Sequence, residues 1–492
     1  MDKLLDVVMN PPLDNWKDAN REAFDQLFGS SGGRYPKRAK DEVILRAPKG
    51  NIPFSAYIAP SNPSSGPYGG MSFVIFPPDE EEAGSCLVSF VVGTQGLSPD
   101  ENILSRPGHA RKVQAITKWL NEDSRENSIV AWSKHDPVRI ERAIPDTIQR
   151  EFNRFYNSFD KYNRVIYGMF DPKGNREITE ECLKAFLDLY MQERGFEPLS
   201  GSQDESEKIR NEWMGRLFPV VKDKNVVQLL QEQRFVILQG PPGTGKTRMA
   251  EKLLDEEYNN NGFSIQFHPN TTYESFIGGL SPETVESELG FQFKPKEGAL
   301  LRAIHQAREN SNQPFLLHID EVNRADLARV LGEAIYLFET KPERPRTLEL
   351  QYDFPELNGR EITIPENLQV LGTMNTADES IASLDVAIRR RFSFVDIWPS
   401  MSVVEEKGSE RMIEAFRELL DIFIEYAPEN NLNLLPGHSY FLEDNSEKAL
   451  RELRVRVKPL LEDYLQQGFV SGFEEPVRAY LQWIEGLQGT SE

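Results

Sequence analysis

The stretch GPPGTGKT, residues 240 to 247, follows directly on the apolar run FVILQ. Gly240, Gly243 and Gly245 let a backbone curl with its N–H groups turned inward around an anion, and Pro241, Pro242 and Thr244 complete the loop. Lys246 supplies a point charge for the β and γ phosphates of a nucleotide. The Thr247 hydroxyl stands where a Mg²⁺ ligand is needed, and the predicted helix TRMAEKLLDEEY turns its positive end to the same anion. Further on, FLLHIDEVNRAD ends an apolar strand in Asp320 and Glu321. A carboxylate at the C-terminal edge of a strand can hold the Mg²⁺ shell, and the acid beside it can polarise a water for in-line attack on the γ phosphate. Two adjacent acids at a strand end make poor core material. The chemistry predicted is hydrolysis of a nucleoside triphosphate.

These residues need a scaffold that brings strand ends together. FVILQ, SIQFHP, FLLHID, LQVLGTMN and FSFVDI alternate with helical stretches, the pattern of a parallel sheet with crossover helices. The fold class is therefore α/β: a P-loop nucleotide-binding domain with a five-stranded parallel sheet over residues 210–400. From about Glu405 the chain reads helical, so 401–492 form a helical lid with C-terminal helices. Ahead of it, EPLSGSQDESEK reads as a linker at 197–209, because it is rich in Ser, Gly and acid and poor in apolar side chains. Residues 1–196 read as a separate α+β domain. There MSFVIFPP and CLVSFVVGTQG are strands joined by an acidic turn, HARKVQAITKWLNE and PDTIQREFNRFYNSFDKYNRVI are helices, and Phe152, Phe155, Tyr156 and Phe159 form a buried helix face.

Composition excludes several classes. The 492 residues carry a net charge of -22, so non-specific coating of a polyanion is excluded and nucleic-acid contact requires local basic patches. RYPKRAK, with Arg46 and Lys49, and RPGHARK, with Arg106, His109, Arg111 and Lys112, are such clusters, and a solvated face is the competing reading of each. Cys86 and Cys182 are too few for a disulfide framework or a thiolate metal cage, which fits a reducing cytoplasm. No stretch reads as a membrane span, so no membrane partner is expected. KHDP at 134–137 is a lone polar loop, and no nuclease constellation stands out, so cleavage would belong to another subunit.

The strings GPPGTGKT, FHPNTTYESFIGGLSP, IDEVNRADLARVLGEAIYLFE, GTMNTADESIASLDVAIRRRFSF and LPGHSYF resemble the AAA+ superfamily and, within it, the McrB family of restriction motor subunits, with a more distant likeness to MoxR-type ATPases. The resemblance implies a ring of subunits, usually six, with nucleotide at each interface. It gives Asn375 the place of a sensor for the γ phosphate or the attacking water, and Asp378 completes the MNxxD signature. Among Arg389, Arg390 and Arg391 it implies an arginine reaching the neighbour's nucleotide, Arg390 first and Arg391 second. It places His438 where the lid begins, facing the phosphates. GFQFKPKEG and RTLELQYDFPELNGREITIP resemble insertions that form hairpins in such rings. Glu379 departs from the Arg or Lys common after MNTAD. The resemblance further implies a separate McrC-like nuclease subunit and an N-terminal domain that recognises DNA; the alternative is a MoxR-like remodelling ATPase acting on a partner protein. Nothing in the loop reads the base, so GTP and ATP both fit.

Overall fold

A computed structural model describes residues 1–29, 32–46, 56–60, 71–78, 85–92, 101–122, 129–133, 143–155, 168–172, 175–284, 291–340, 344–355, 359–377, 384 and 386–487. The chain divides into two compact units, one of residues 1–218 with 424–428 and one of 219–423 with 429–492.

The first unit is built on a six-stranded sheet. Its strands are β1 (Val43–Arg46), β2 (Ala56–Pro60), β3 (Met71–Phe76), β4 (Leu87–Val92), β5 (Ile129–Ser133) and β6 (Gly168–Pro172), in the order β1-β2-β3-β4-β6-β5. Every pairing is antiparallel. All six residues of MSFVIF are buried, which explains why the strand reads as an unbroken apolar run instead of an alternating one. Phe90 meets Phe186 at 4.9 Å and Tyr190 at 6.2 Å, so the helix Arg176–Gln192 covers one face of the sheet.

Three expectations for this unit change. Residues 197–209 are not a linker. Ser200–Met214 is a helix whose Ser206, Ile209 and Trp213 are buried, and Glu205 pairs with Arg34 at 2.9 Å. The apolar positions are few but fall on one helical face, which is enough to dock it. The cluster RPGHARK is not a phosphate-binding surface. His109 is fully buried and Arg111 is 7% exposed, while His109 Nδ1 and Lys112 Nζ lie 2.8 and 2.9 Å from the Glu193 carboxylate. Burial alone raises the pKa of Glu193, but the charges of His109 and Lys112 hold it down at about 2. The third change concerns Phe152 and Phe155, which are fully buried, but Phe152 caps the end of a short helix, Asp146–Glu151, and Phe155 lies on the 3-10 turn that follows. Tyr156, Phe159, Lys49 and 134–137 lie outside the described residues.

RYPKRAK divides. Arg34 forms a buried bidentate pair with Asp188 at 2.6 and 2.7 Å, whereas Lys37 and Arg38 are exposed.

The second unit carries a five-stranded parallel sheet from the expected strands. These are β7 (Phe235–Gly240), β8 (Gly262–Gln266), β11 (Phe315–Asp320), β14 (Leu368–Asn375) and β15 (Ser393–Asp396), in the order β15-β7-β14-β11-β8. Side chains alternate between two cores. Phe235 and Ile237 join the core that holds Leu300 and Ile304 of the helix Ala299–Glu309, and Val236 and Leu238 join Ala250 and Leu253 of the helix Lys246–Glu256. With both faces covered, the three inner strands β7, β14 and β11 are buried along nearly their whole length, whereas the edge strands β8 and β15 are only half-buried. Two antiparallel hairpins are inserted, β9 (Gly278–Thr284) with β10 (Phe291–Glu297) and β12 (Leu348–Phe354) with β13 (Gly359–Ile362). Beyond β15 the unit is helical, beginning with Met401–Lys407 and ending with Glu474–Gly486. Among the described residues no helix is long and apolar enough to cross a membrane.

Candidate nucleotide site

Parallel pairing brings four strand ends to one edge. Asn375 stands opposite Gly240, and Asp320 opposite Gln266. The glycine-rich loop leaves β7 at that edge and enters the helix Lys246–Glu256 through Gly245, whose φ of 84° is a left-handed conformation that a side chain disfavours. Lys246 is 5% exposed. Its ammonium donates to the carbonyls of Gly240 and Pro241 at 2.9 and 2.6 Å.

Asp320 is the centre of the polar network. Its Oδ1 accepts from the Thr247 hydroxyl at 2.8 Å and from the Thr373 hydroxyl. Glu321 follows in a left-handed conformation, φ 54°, and its N–H donates to Thr373 Oγ1 at 3.2 Å. The Glu321 carboxylate accepts from Gln266 Nε2 at 2.9 Å and pairs with Arg324 Nε at 3.1 Å, both on Oε2. Asn323 Nδ2 donates to the Asn375 carbonyl at 2.9 Å, fixing the tip of β14 against the turn that follows the acids.

LPGHSYF closes over the loop from the helical side. The Gly437 N–H donates to Pro242 O at 2.9 Å and the Ser439 N–H to Gly243 O at 3.0 Å. The approach is so close that a Cβ on Gly437 would fall 2.1 Å from the Gly243 carbonyl carbon. His438 Nδ1 accepts from the Ser400 N–H at 3.3 Å, and a Cβ on Gly245 would lie 3.7 Å from His438 Nε2. Burial, then the charges of Lys407, Arg248 and Lys246, push the His438 pKa down to about 4. The ring is therefore neutral at pH 7. Because Nδ1 accepts, the proton sits on Nε2, the nitrogen turned to the loop. Beside it a cavity of about 300 Å³ is lined by Val220, Asp223, Arg248, Met249, Trp398 and His438, among others. A nucleoside fits such a volume.

The three arginines differ. Arg389 stacks over Phe394 with its guanidinium 5.3 Å from the ring centroid. Arg391 donates to the Ala387 carbonyl at 2.9 Å. Arg390 is exposed, and among the described residues it forms no ion pair. Asp378 and Glu379 lie outside the described residues.

Residues 235–392 match the AAA domain (dynein-related subfamily) family. The chain is 30% identical over 386 residues to the Type IV methyl-directed restriction enzyme EcoKMcrB subunit of Escherichia coli (strain K12), an alignment covering 73% of this chain and 81% of that protein. This chain belongs to the McrB-like family of AAA+ proteins. The McrB-like chain is also 28% identical over 197 residues to the Type II restriction enzyme BsuMI component YdiS of Bacillus subtilis (strain 168), covering 32% of this chain and 55% of that protein. To the uncharacterized protein YehL of Escherichia coli (strain K12) it is 25% identical over 177 residues, or 35% of this chain and 44% of that protein. Family and fold together make the second unit a nucleotide-binding AAA+ NTPase domain.

The sequence reading of this McrB-like site did not include Gln266, Arg324, Asn323 or Thr373. Asn323, Arg324 and Thr373 are ordinary polar residues in strings that also hold a recognised one, Gln266 ends a strand that holds none, and only the folded chain shows what each touches.

Proposed function

We propose that this chain is the nucleoside-triphosphate-hydrolysing motor subunit of a McrBC-like restriction or antiphage system, working as a ring, usually of six, with a separate McrC-like nuclease subunit. The observation that carries the reading is the meeting of the phosphate loop, Asp320, Glu321 and Asn375 at one sheet edge, in a chain 30% identical to a restriction-enzyme subunit.

Gly240, Pro241, Pro242, Gly243, Thr244 and Gly245 wrap the phosphates with backbone N–H groups, and Lys246 leaves the loop carbonyls to neutralise β and γ oxygens. Thr247 and Asp320 form an oxygen-only pair of the kind that suits Mg²⁺, and these two residues would hold the ion. The ion, when bound, neutralises charge that develops on the transferred phosphoryl group. Glu321 takes a proton from the attacking water, once its carboxylate turns from Gln266 and Arg324. Asn375 orients that water or the γ phosphate, with Asp378 assisting. His438 donates from Nε2 to the nucleotide at the loop. Arg390 reaches the nucleotide of the adjacent subunit, which its exposure supports, and Arg391 holds the short helix behind it.

The first unit recognises the DNA target, with Lys37 and Arg38 left on the surface for phosphates. GTP and ATP are both substrates to be tested. The deciding experiment measures GTP and ATP hydrolysis by the purified chain with and without DNA, and DNA cleavage with and without the protein encoded beside it. Hydrolysis with cleavage only in the mixture supports the reading. Hydrolysis that responds to neither DNA nor a nuclease partner sinks the restriction role, and metal-dependent cleavage by the chain alone sinks the division of labour.

A further inference from the structure

Thr373 lies in β14, two residues before Asn375, and is 2% exposed. Its one hydroxyl serves both acids. It donates to Asp320 Oδ1 and accepts the Glu321 N–H at 3.2 Å. A threonine hydroxyl has one hydrogen and two lone pairs. With the hydrogen committed to the carboxylate, only lone pairs are left to face the amide, so the two contacts fix each other's direction.

Each contact answers a separate need. Asp320 also takes the Thr247 hydrogen on the same oxygen, at 2.8 Å. Two hydroxyls arriving from different elements, one from β14 and one from the helix after the loop, fix the plane of the carboxylate. Glu321 is a non-glycine residue at φ 54° and ψ 49°, a left-handed conformation that its side chain disfavours. The bond from its N–H to Thr373 holds the backbone there, so that the chain turns sharply between the two acids. Asn323 closes the arrangement from the other direction, donating to the Asn375 carbonyl at 2.9 Å.

We propose that Thr373 is a positioning residue for nucleotide hydrolysis, setting the Asp320 carboxylate and the Glu321 backbone through a single hydroxyl. The proposal rests on the assignment of hydrolysis to Asp320 and Glu321. A threonine present only to fill the strand would be replaceable by valine, which has nearly its shape and favours strands. A positioning threonine would not be.

The test compares Thr373→Val and Thr373→Ser with Glu321→Gln in the full chain. Hydrogen bonds to charged or otherwise unsatisfied buried groups are worth about 1.5–3 kcal/mol, so Thr373→Val should lower kcat by roughly 10- to 100-fold. Binding of a fluorescent nucleotide in EDTA should stay within about threefold, because the Thr373 hydroxyl bonds to the two acids and not to the loop among the described residues, and the Mg²⁺ concentration for half-maximal rate should rise. Thr373→Ser, which keeps the hydroxyl, should recover most of kcat. A readout free of turnover is amide hydrogen exchange at Glu321 in nucleotide-free protein. It should quicken by about tenfold or more in Thr373→Val and stay near wild type in Thr373→Ser. If Thr373→Val hydrolyses and exchanges like wild type while Glu321→Gln is inactive, the positioning role is wrong and the site assignment stands. Equal slowing of the Val and Ser variants overturns it too, because keeping the hydroxyl would then rescue nothing. If Glu321→Gln itself runs at full rate, the underlying assignment falls. Should Thr373→Val not fold, Thr373→Ala against Thr373→Ser makes the same comparison.

Discussion

The hydroxyl of Thr247 donates to Asp320 Oδ1 across 2.8 Å, joining the residue after the loop lysine to a strand end 73 positions away. The contact exists because β7 and β11 both flank β14 and run parallel, so that their C-terminal ends share one edge. The glycine-rich loop and the acid proposed to hold Mg²⁺ are thereby joined directly. Site and fold are coupled at this bond.

The lysine and the second acid should separate binding from turnover. Lys246→Ala removes the charge that meets the phosphates, so nucleotide affinity should fall. Glu321→Gln keeps the side-chain shape but not the basicity, so binding and ring assembly should persist while turnover slows by about 10² or more. Parallel fluorescence-binding and phosphate-release assays read the two effects. Normal hydrolysis by Glu321→Gln would remove Glu321 from the role of base.

Gly437 gives a steric test of the seat that LPGHSYF forms over the loop. Its φ of -66° suits any residue, so alanine is excluded here only by the Cβ position 2.1 Å from Gly243. Gly437→Ala should push the segment off the loop, break the 2.9 Å bond to Pro242 O, and weaken nucleotide binding by about tenfold, the equivalent of roughly one hydrogen bond. Isothermal titration at matched temperature checks this, and unchanged affinity in a folded variant would show that the seat does not shape the site.

His438 should give the nucleotide-free protein a pH signature. Its folded pKa, pushed down to about 4 by burial and by Lys407, Arg248 and Lys246, lies below the unfolded value of about 6.5. Above that value neither state binds the proton. As pH falls from about 6.5 towards 4 only the unfolded chain gains it, so stability drops through this window, by on the order of 3 kcal/mol from this group, and levels off below. Urea denaturation of the second unit's transition at several pH values should show the slope, and His438→Gln should flatten it. An equally steep slope in the variant would place the titration elsewhere.

How far the sequence carries depends on the distance over which each feature is written. GPPGTGKT and FLLHIDEVNRAD are contiguous, and the central strands of the sheet are apolar runs because both of their faces are buried; the sheet was legible from them. Thr373 was not, because its partners Asp320 and Glu321 sit on another strand, and only the pairing of Ile319 with Gly372 brings them level. RPGHARK misled for a related reason. The charges of His109 and Lys112 are answered by Glu193, 84 positions beyond His109, and Arg111 is itself buried, so much of a string that reads as a basic surface is a buried polar network. EPLSGSQDESEK misled by average composition, since the docked face needs only Ser206, Ile209 and Trp213.

The arginines test whether subunits of the proposed ring share their sites. Arg391 is tied to the Ala387 carbonyl and Arg389 lies over Phe394, and Arg390 is exposed, so Arg390 is the first of the three to test for reach to a neighbour. If it is supplied in trans, Arg390→Ala and Lys246→Ala subunits should each be nearly inactive alone. Mixed, they should regain hydrolysis at interfaces that pair an intact loop with an intact arginine. The loss should be large, because finger arginines are worth about 10³ to 10⁵ in rate, whereas a surface ion pair contributes about 0–1 kcal/mol. Steady-state hydrolysis across mixing ratios, with assembly followed by light scattering, gives the answer. A mixture that assembles yet stays as inactive as its components removes the trans role; normal turnover by Arg390→Ala alone transfers it to Arg391, which would first have to release Ala387.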